Sequence, residues 1–239
     1  MNFSCSYLVW SLVLLGSCFG GFYFFPRERK KIFISAILSL PAACTAVLFV
    51  PAYWKPLRIT SLSVGIEDLT FSFATGGIVW IIVSFTEGKN LAYNIAFPTV
   101  IKRYLILVVL GMSLMLVLYR STNWGVMSEA LIGITITGLI LLAKYRFKYW
   151  RMAAAGSILF TLYYLLIAAL ILNFFPHMHS YWNKEILLGI SVFNVPLEEI
   201  AWAFAFGAVW PLAMTYVFDL ELSDKNRKKA SSAAVSWEI

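Results

Sequence analysis

The chain reads as an all-α integral membrane protein of seven transmembrane helices, N-terminus out and C-terminus in, on three observations. Of its 239 residues, 61% are hydrophobic and 13% charged, and the mean hydropathy is +0.80, whereas a soluble domain carries about 25% charged residues. Seven apolar runs approach the ~20 residues needed to cross the hydrocarbon. The basic residues crowd into alternate loops, as the positive-inside rule requires.

Taken in order, the first run covers residues 7–25. Leu15-Gly16-Ser17-Cys18 resembles a lipoprotein cleavage box, but no basic residue precedes the run and the cluster Arg27, Arg29, Lys30, Lys31 follows it, so it reads as a span rather than a leader. The second run is 32–50. The third, 66–85, opens on Glu67-Asp68. The fourth and fifth, 104–119 and 126–143, are short and must borrow flanking residues. The sixth is 152–174, and the seventh, 196–218, opens on Pro196 and Glu198-Glu199.

With the N-terminus outside, the first basic loop shares a side with Lys89, Lys102 and Arg103, with Lys144, Arg146, Lys148 and Arg151, and with Lys225, Arg227, Lys228 and Lys229. Only Lys55, Arg58, Arg120 and Lys184 fall opposite. The formal charge of +7 therefore reads as loops facing an anionic leaflet, not as a nucleic-acid footprint. Cys5, Cys18 and Cys44 are isolated and odd in number, which argues against a disulfide scaffold or structural zinc. Asn2-Phe3-Ser4 matches the N-glycosylation pattern, but three-residue matches are common by chance.

At an offset of 131 residues, Gly65-Ile66-Glu67-Asp68-Leu69-Thr70-Phe71 lies over Pro196-Leu197-Glu198-Glu199-Ile200-Ala201-Trp202, and Gly76 over Gly207. Upstream of each acidic pair stands a Tyr-Trp, Tyr53-Trp54 and Tyr181-Trp182. The register implies a duplication. A first repeat of three helices (1–103) and a second (124–224) are joined by a connector helix (104–123) and followed by a cytoplasmic tail (225–239). Equivalent spans are four apart, so the repeats have the same orientation. Both acidic pairs then enter from the outer side and face each other across a pseudo-two-fold.

A carboxylate beside a long apolar run costs a few kcal/mol or more to insert, so Glu67, Asp68, Glu198 and Glu199 are candidate functional residues. The plainer reading is helix capping, which explains one carboxylate per helix but not a repeated pair followed by aromatics. Adjacent helical residues lie about 100° apart, so one member of each pair can face a cavity while the other takes a helix partner. An acid in an apolar site is suited to protonating something hydrophobic. With 19 Phe, 12 Tyr and 9 Trp in the chain, the rings of Phe71, Phe73, Trp80, Trp202, Phe204, Phe206 and Trp210 are candidates to line such a site. Their π faces can stabilise a carbocation without trapping it.

The stretch from Leu187 to Glu199, closing on Pro196-Leu197-Glu198-Glu199 and followed by Trp202, resembles the Pro-x-Glu-Glu signature of the lycopene cyclase domain, a family of small membrane-integral cyclases. Gly65-Ile66-Glu67-Asp68-Leu69 resembles a variant form of it, with Gly65 in the place of the proline. Ala201-Trp202 replaces a Phe-rich continuation, and Leu172-Asn173-Phe174 lacks a Trp-Asp found in many members. The resemblance implies acid-catalysed closure of the linear ends of lycopene into β-ionone-type rings through a carbocation, without net redox change, by an isomerase or intramolecular lyase. It implies Glu198 and Glu199 as the essential acids, matched by Glu67 and Asp68. It also implies a flavin-independent enzyme, and no G-x-G-x-x-G is present to hold a dinucleotide. No cofactor and no metal are expected. The expected partners are a hydrophobic polyene within the bilayer, membrane lipids and other carotenoid-pathway enzymes, in a prokaryotic cytoplasmic membrane.

Three other readings compete. Intramembrane carboxylates also serve transporters, although none of the basic residues reads as an inward-facing counter-charge. A retinal receptor needs a Schiff-base lysine that 196–218 lacks, though noncovalent isoprenoid binding does not. A structural protein needs only the capping role. His177 and His179, without Cys or carboxylate partners at ligand spacing, read as loop residues. The topology is directly testable: reporter fusions at the two ends should give opposite signals, and like signals would overturn the seven-span alternation.

Overall fold

In the computed structural model, the described residues are 5–87, 91–92 and 97–222. Among them are seven helices long and apolar enough to cross a membrane: α1 (Ser6–Phe24), α2 (Arg29–Phe49), α3 (Ile66–Glu87), α4 (Phe97–Ser121), α5 (Val126–Lys144), α6 (Trp150–Phe174) and α7 (Leu197–Phe218). The fourth run does borrow flanking residues, gaining seven at its start and two at its end, while the fifth gains one, Lys144, to reach 19. The tail 225–239, Lys89 and Asn2-Phe3-Ser4 lie outside the described residues.

One span is irregular. In α2 the middle, Leu40–Thr45, is wound as 3-10 helix between α-helical Arg29–Ser39 and Ala46–Phe49, and Pro41 stands in its first turn. Proline lacks an N–H to donate to the preceding turn, so the ladder changes where it enters.

The two helices that begin with acidic pairs, α3 and α7, are the most enclosed of the seven. The first packs against α1 and α2, the second against α5 and α6, and they touch each other at the centre; α4 leans on α5 and α7 and is the most exposed. Small residues permit these approaches, as expected where lipid is as apolar as the side chains it replaces. A Cβ on Gly156 would collide with the Gly207 carbonyl oxygen, and one on Gly207 with that of Gly156. At the equivalent point of α3, a Cβ on Gly76 would run into Ser39. Serine hydroxyls bond across the same crossings, Ser157 to the Phe204 carbonyl and Ser35 to the Gly76 carbonyl, both at 2.8 Å.

At the basic end, the strand Leu91–Ala92 (β1) pairs antiparallel with Glu221–Leu222 (β4). Arg103 meets Asp219 at 2.8 Å, and the Tyr149 hydroxyl donates to the Leu220 carbonyl. At the opposite end, Ser191–Val192 (β2) and Val195–Pro196 (β3) form a small hairpin that delivers the chain into α7.

A backbone oxygen cannot move aside for a side chain as another side chain can, so Gly156→Leu should destabilise the α6–α7 crossing by about 1–3 kcal/mol. Gly16→Leu, at a position with open space around it, should leave stability unchanged. Thermal unfolding of the detergent-solubilised variants measures the difference.

Candidate active site

The site is built where the loops entering α3 and α7 meet. The Tyr-Trp pairs noted upstream of the acids pair with one another: Trp54 and Trp182 form an antiparallel bridge, Lys55 N–H donates to the Tyr181 carbonyl at 2.6 Å, and Asn183 N–H to the Tyr53 carbonyl at 2.9 Å. Their indoles lie 5.4 Å apart, and Trp54 also meets Tyr7 edge-on at 4.9 Å. Both acidic helix starts are thereby placed at one end of the bundle.

The first acid of each pair turns to its own loop. Glu67, fully buried, accepts the Ile59 N–H at 2.7 Å; Glu198 accepts the Leu188 N–H at 2.6 Å. These carboxylates pin the incoming chain, and neither lines the cavity described below.

The second acid of each pair turns inward, and here the two helices differ. Asp68 occupies the third helical position, and its Oδ2 reaches back to the Gly65 N–H at 2.7 Å, half of a capping box. The same oxygen is 2.7 Å from the Arg58 guanidinium, and Oδ1 accepts the Tyr7 hydroxyl at 2.9 Å. In α7 the residue before the first turn is Pro196, which has no N–H to offer. Glu199 is thus released from capping and takes other partners: Tyr164 O–H to Oε2 at 2.8 Å and Trp182 Nε1–H to Oε1 at 3.1 Å. Tyr53 lies beside it. Burial first, then the nearby Glu199 charge, push the Tyr53 hydroxyl well above the usual tyrosine range, so it remains a proton donor at neutral pH.

Arg58 corrects the expectation that no cation faces the acids. Its side chain is buried, paired to Asp68 and fixed by the carbonyls of Leu62 and Ser63 at 3.2 and 3.1 Å.

Asp68 and Glu199 both open onto a cavity of about 370 Å³ bounded by α2, α3, α4, α5 and α7, with Tyr7 and Trp10 of α1 and Tyr164 of α6 closing its acidic end. From Glu199 to Met214 it follows α7 for about 22 Å at 1.5 Å per residue. Four of the seven candidate rings line it: Phe71, Trp202, Phe206 and Trp210. They form a continuous stack, with Phe71 to Trp202 at 5.7 Å, Trp202 to Phe206 at 5.3 Å and Phe206 to Trp210 at 5.5 Å. The other three do not. Phe73 packs on Phe33 at 6.2 Å, Trp80 is buried in the helix core, and Phe204 is 54% exposed on the outside. The reason is helical phase: steps of 3 and 4 from Asp68 and Glu199 stay on the cavity face, while Phe73 and Phe204, five residues on, have turned away.

Tyr7, Trp10, Tyr164, Trp182 and Arg58 belong to the site without having been singled out for it. Tyr7 and Tyr164 sit inside apolar runs where nothing distinguishes them from packing residues. Tyr53-Trp54 and Tyr181-Trp182 carried the one available signal, their repetition. His177 lies in a 3-10 turn, Pro176–Ser180, with its Nε2 3.1 Å from Ser6 Oγ. Burial and the nearby Lys184 charge hold His179 below the usual histidine range. Among the described residues no group of His, Cys, Asp and Glu is arranged to hold a metal.

Residues 127–217, which take in α5, α6 and nearly all of α7, match the family model described as lycopene cyclase. No curated protein and no solved structure matches the chain. The match covers the second acidic pair and its cavity-facing aromatics, Trp202, Phe206 and Trp210. What the chain shares with the lycopene cyclase family is thus the stretch 127–217, within a chain whose described residues include seven helices long and apolar enough to cross a membrane.

Proposed function

We propose that the protein cyclises the linear end of a polyene of the lycopene type to a β-ionone-type ring, with Glu199 as the acid and Asp68 as the base. The observation that carries this reading is the unequal surroundings of two carboxylates on one aromatic cavity. Asp68 Oδ2 is filled by two obligate donors, the Gly65 N–H and the Arg58 guanidinium, so it serves as a carboxylate. Glu199 Oε2 has the Tyr164 hydroxyl as its hydrogen-bond partner, and a hydroxyl accepts as readily as it donates. A proton on Glu199 therefore has a place to sit. Two carboxylates held in different states by their surroundings are the ordinary route to an acid and a base in one site.

In this mechanism Glu199 adds its proton to the terminal double bond of the polyene, leaving a tertiary cation. The neighbouring double bond attacks the cation, closing a six-membered ring and moving the charge to a ring carbon. Asp68 removes a proton from the adjacent carbon, the ring double bond forms, and the product is an isomer of the substrate. Tyr7, whose hydroxyl is bonded to Asp68 and which lines the same cavity as Glu199, begins the return of that proton between turnovers. The stack from Phe71 through Trp202 to Phe206 faces the cation with rings that stabilise charge without bonding to it. Glu67 and Glu198 act at one remove, as positioning residues for the loops that carry Arg58 and lead into α7.

This reading treats the chain as two same-sense repeats of three helices joined by α4, with the acidic ends outside and the basic loops in the cytoplasm. The matched cavity-facing acids, the shared glycine crossings and the paired Tyr-Trp loops support the duplication. The second repeat supplies the acid and the first the base.

Expressed in a lycopene-accumulating bacterium, the wild-type chain should yield cyclic carotenoids; bound but unconverted lycopene would instead favour a noncovalent binder. Glu199→Gln should lower turnover about 10²–10⁴-fold in a folded protein, because the amide keeps the shape but delivers no proton. Glu198→Gln keeps an oxygen for the Leu188 N–H and should cost about tenfold or less. If the two variants behave alike, the division between positioning and catalytic acid is wrong. Arg58→Met should abolish turnover while raising the fraction of polyene retained on purification, since Asp68 loses the guanidinium that holds its Oδ2 in place while Arg58 itself does not line the cavity.

A further inference from the structure

We infer that the polyene reaches the cavity sideways from the bilayer, through an opening between α2 and α4. The inference rests on the polyene reading above. The walls of the cavity are not uniformly buried. Pro41 and Ala42, in the 3-10 stretch of α2, line the cavity and are also exposed on the outer surface of the bundle. Across from them Met112 of α4 lines the cavity and is 43% exposed. Residues that face both the interior and the outside mark a gap in the wall.

Three features make this gap a passage for an apolar chain. Its rim is formed by Pro41, Ala42, Val108, Gly111 and Met112, which present no charge to a hydrocarbon. Gly111 faces open space: a Cβ placed on it would meet nothing within 4 Å. The irregular α2 also supplies the shape. Both its α-helical part, Arg29–Ser39, and its 3-10 stretch, Leu40–Thr45, pack against α3, and the change of winding between them interrupts the regular ridge that α2 would present on its other side. One polar tie crosses between the two walls, from the Tyr104 hydroxyl to the Leu38 carbonyl, and it stands at the basic end of the gap, away from the carboxylates. The carboxylates lie deeper, beyond Phe71 and Trp202, so a linear end that slides in between α2 and α4 passes along the aromatic stack before meeting Glu199. Because the gap opens to lipid and the acidic end is capped by Tyr53, Trp54 and Tyr7, the rest of a long polyene stays in the bilayer while one end is processed.

The test uses purified full-length protein in phosphatidylcholine vesicles, with lycopene as the probe. Two rates are followed, lycopene-dependent quenching of tryptophan fluorescence and appearance of cyclic product. Gly111→Trp should slow both at least about tenfold, and Gly16→Trp, at an exposed position on α1 with equally open surroundings, should leave both unchanged. To keep folding out of the comparison, Ala42→Cys in a Cys5→Ala, Cys44→Ala background, which leaves only the buried Cys18, is labelled with a bulky maleimide after reconstitution; labelling should slow both rates as Gly111→Trp does. Wild-type rates in Gly111→Trp and in the labelled protein would overturn lateral admission while leaving the cyclase reading intact. A wild-type protein that neither quenches with lycopene nor converts it would fell the polyene reading itself, and this inference with it.

Discussion

A carboxylate within an apolar bundle must find donors there, and the arrangement of this protein follows from how four such groups find them. Two are satisfied by the backbone of their own loops, Glu67 by Ile59 and Glu198 by Leu188. That bond fixes the path by which each loop enters its helix. With the first acid so occupied, the second is turned about 100° around the helix, toward the centre of the bundle. The acidic pair is thus one unit with two jobs, anchoring by the first member and presentation of the second.

The difference between the two presented acids comes down to one N–H. Gly65 has one, and Asp68 bends back to take it; Pro196 has none, and Glu199 is left to aromatic donors, Tyr164 and Trp182. A proline at a helix start is often explained by its fixed φ. Here its missing hydrogen matters more, because it withholds the capping partner that would otherwise engage the carboxylate. The difference between Gly65 and Pro196, visible in the chain when the two acidic motifs are laid over one another, becomes the source of the unequal partners of Asp68 and Glu199.

The glycines at the crossings act on the same site from a distance. By bringing backbones together at Gly156–Gly207, and by letting α2 close on α3 at Gly76, they set α3 and α7 near enough for Phe71 to lie on Trp202 at 5.7 Å. The cavity lies beside these crossings, with the 3-10 stretch of α2 forming part of its wall. Packing is tight at the glycine crossings and loose around the cavity. The Arg58–Asp68 pair shows the reverse side of this economy, a loop cation drawn inside because a buried carboxylate accepts it.

Much was legible from the chain alone. Spans are set by hydrophobic length, a local property, so the seven helices could be read from the runs, and Phe71, Trp202, Phe206 and Trp210 stood among the seven candidate rings. The acidic pairs stood out because charge beside an apolar run is costly wherever it occurs. What the sequence could not decide was which acid of each pair faces inward, since both orientations satisfy a 100° step; that depended on the loop N–H groups of Ile59 and Leu188, eight and ten residues away. Nor could it separate Phe73, Trp80 and Phe204 from the true lining, or pick out Tyr7, Tyr164 and Arg58, because an aromatic in a membrane helix looks the same whether it meets lipid, a neighbouring helix or a cavity. Those distinctions belong to contacts between residues as far apart as Tyr7 and Asp68, 61 positions in the chain, and only the packed bundle makes them.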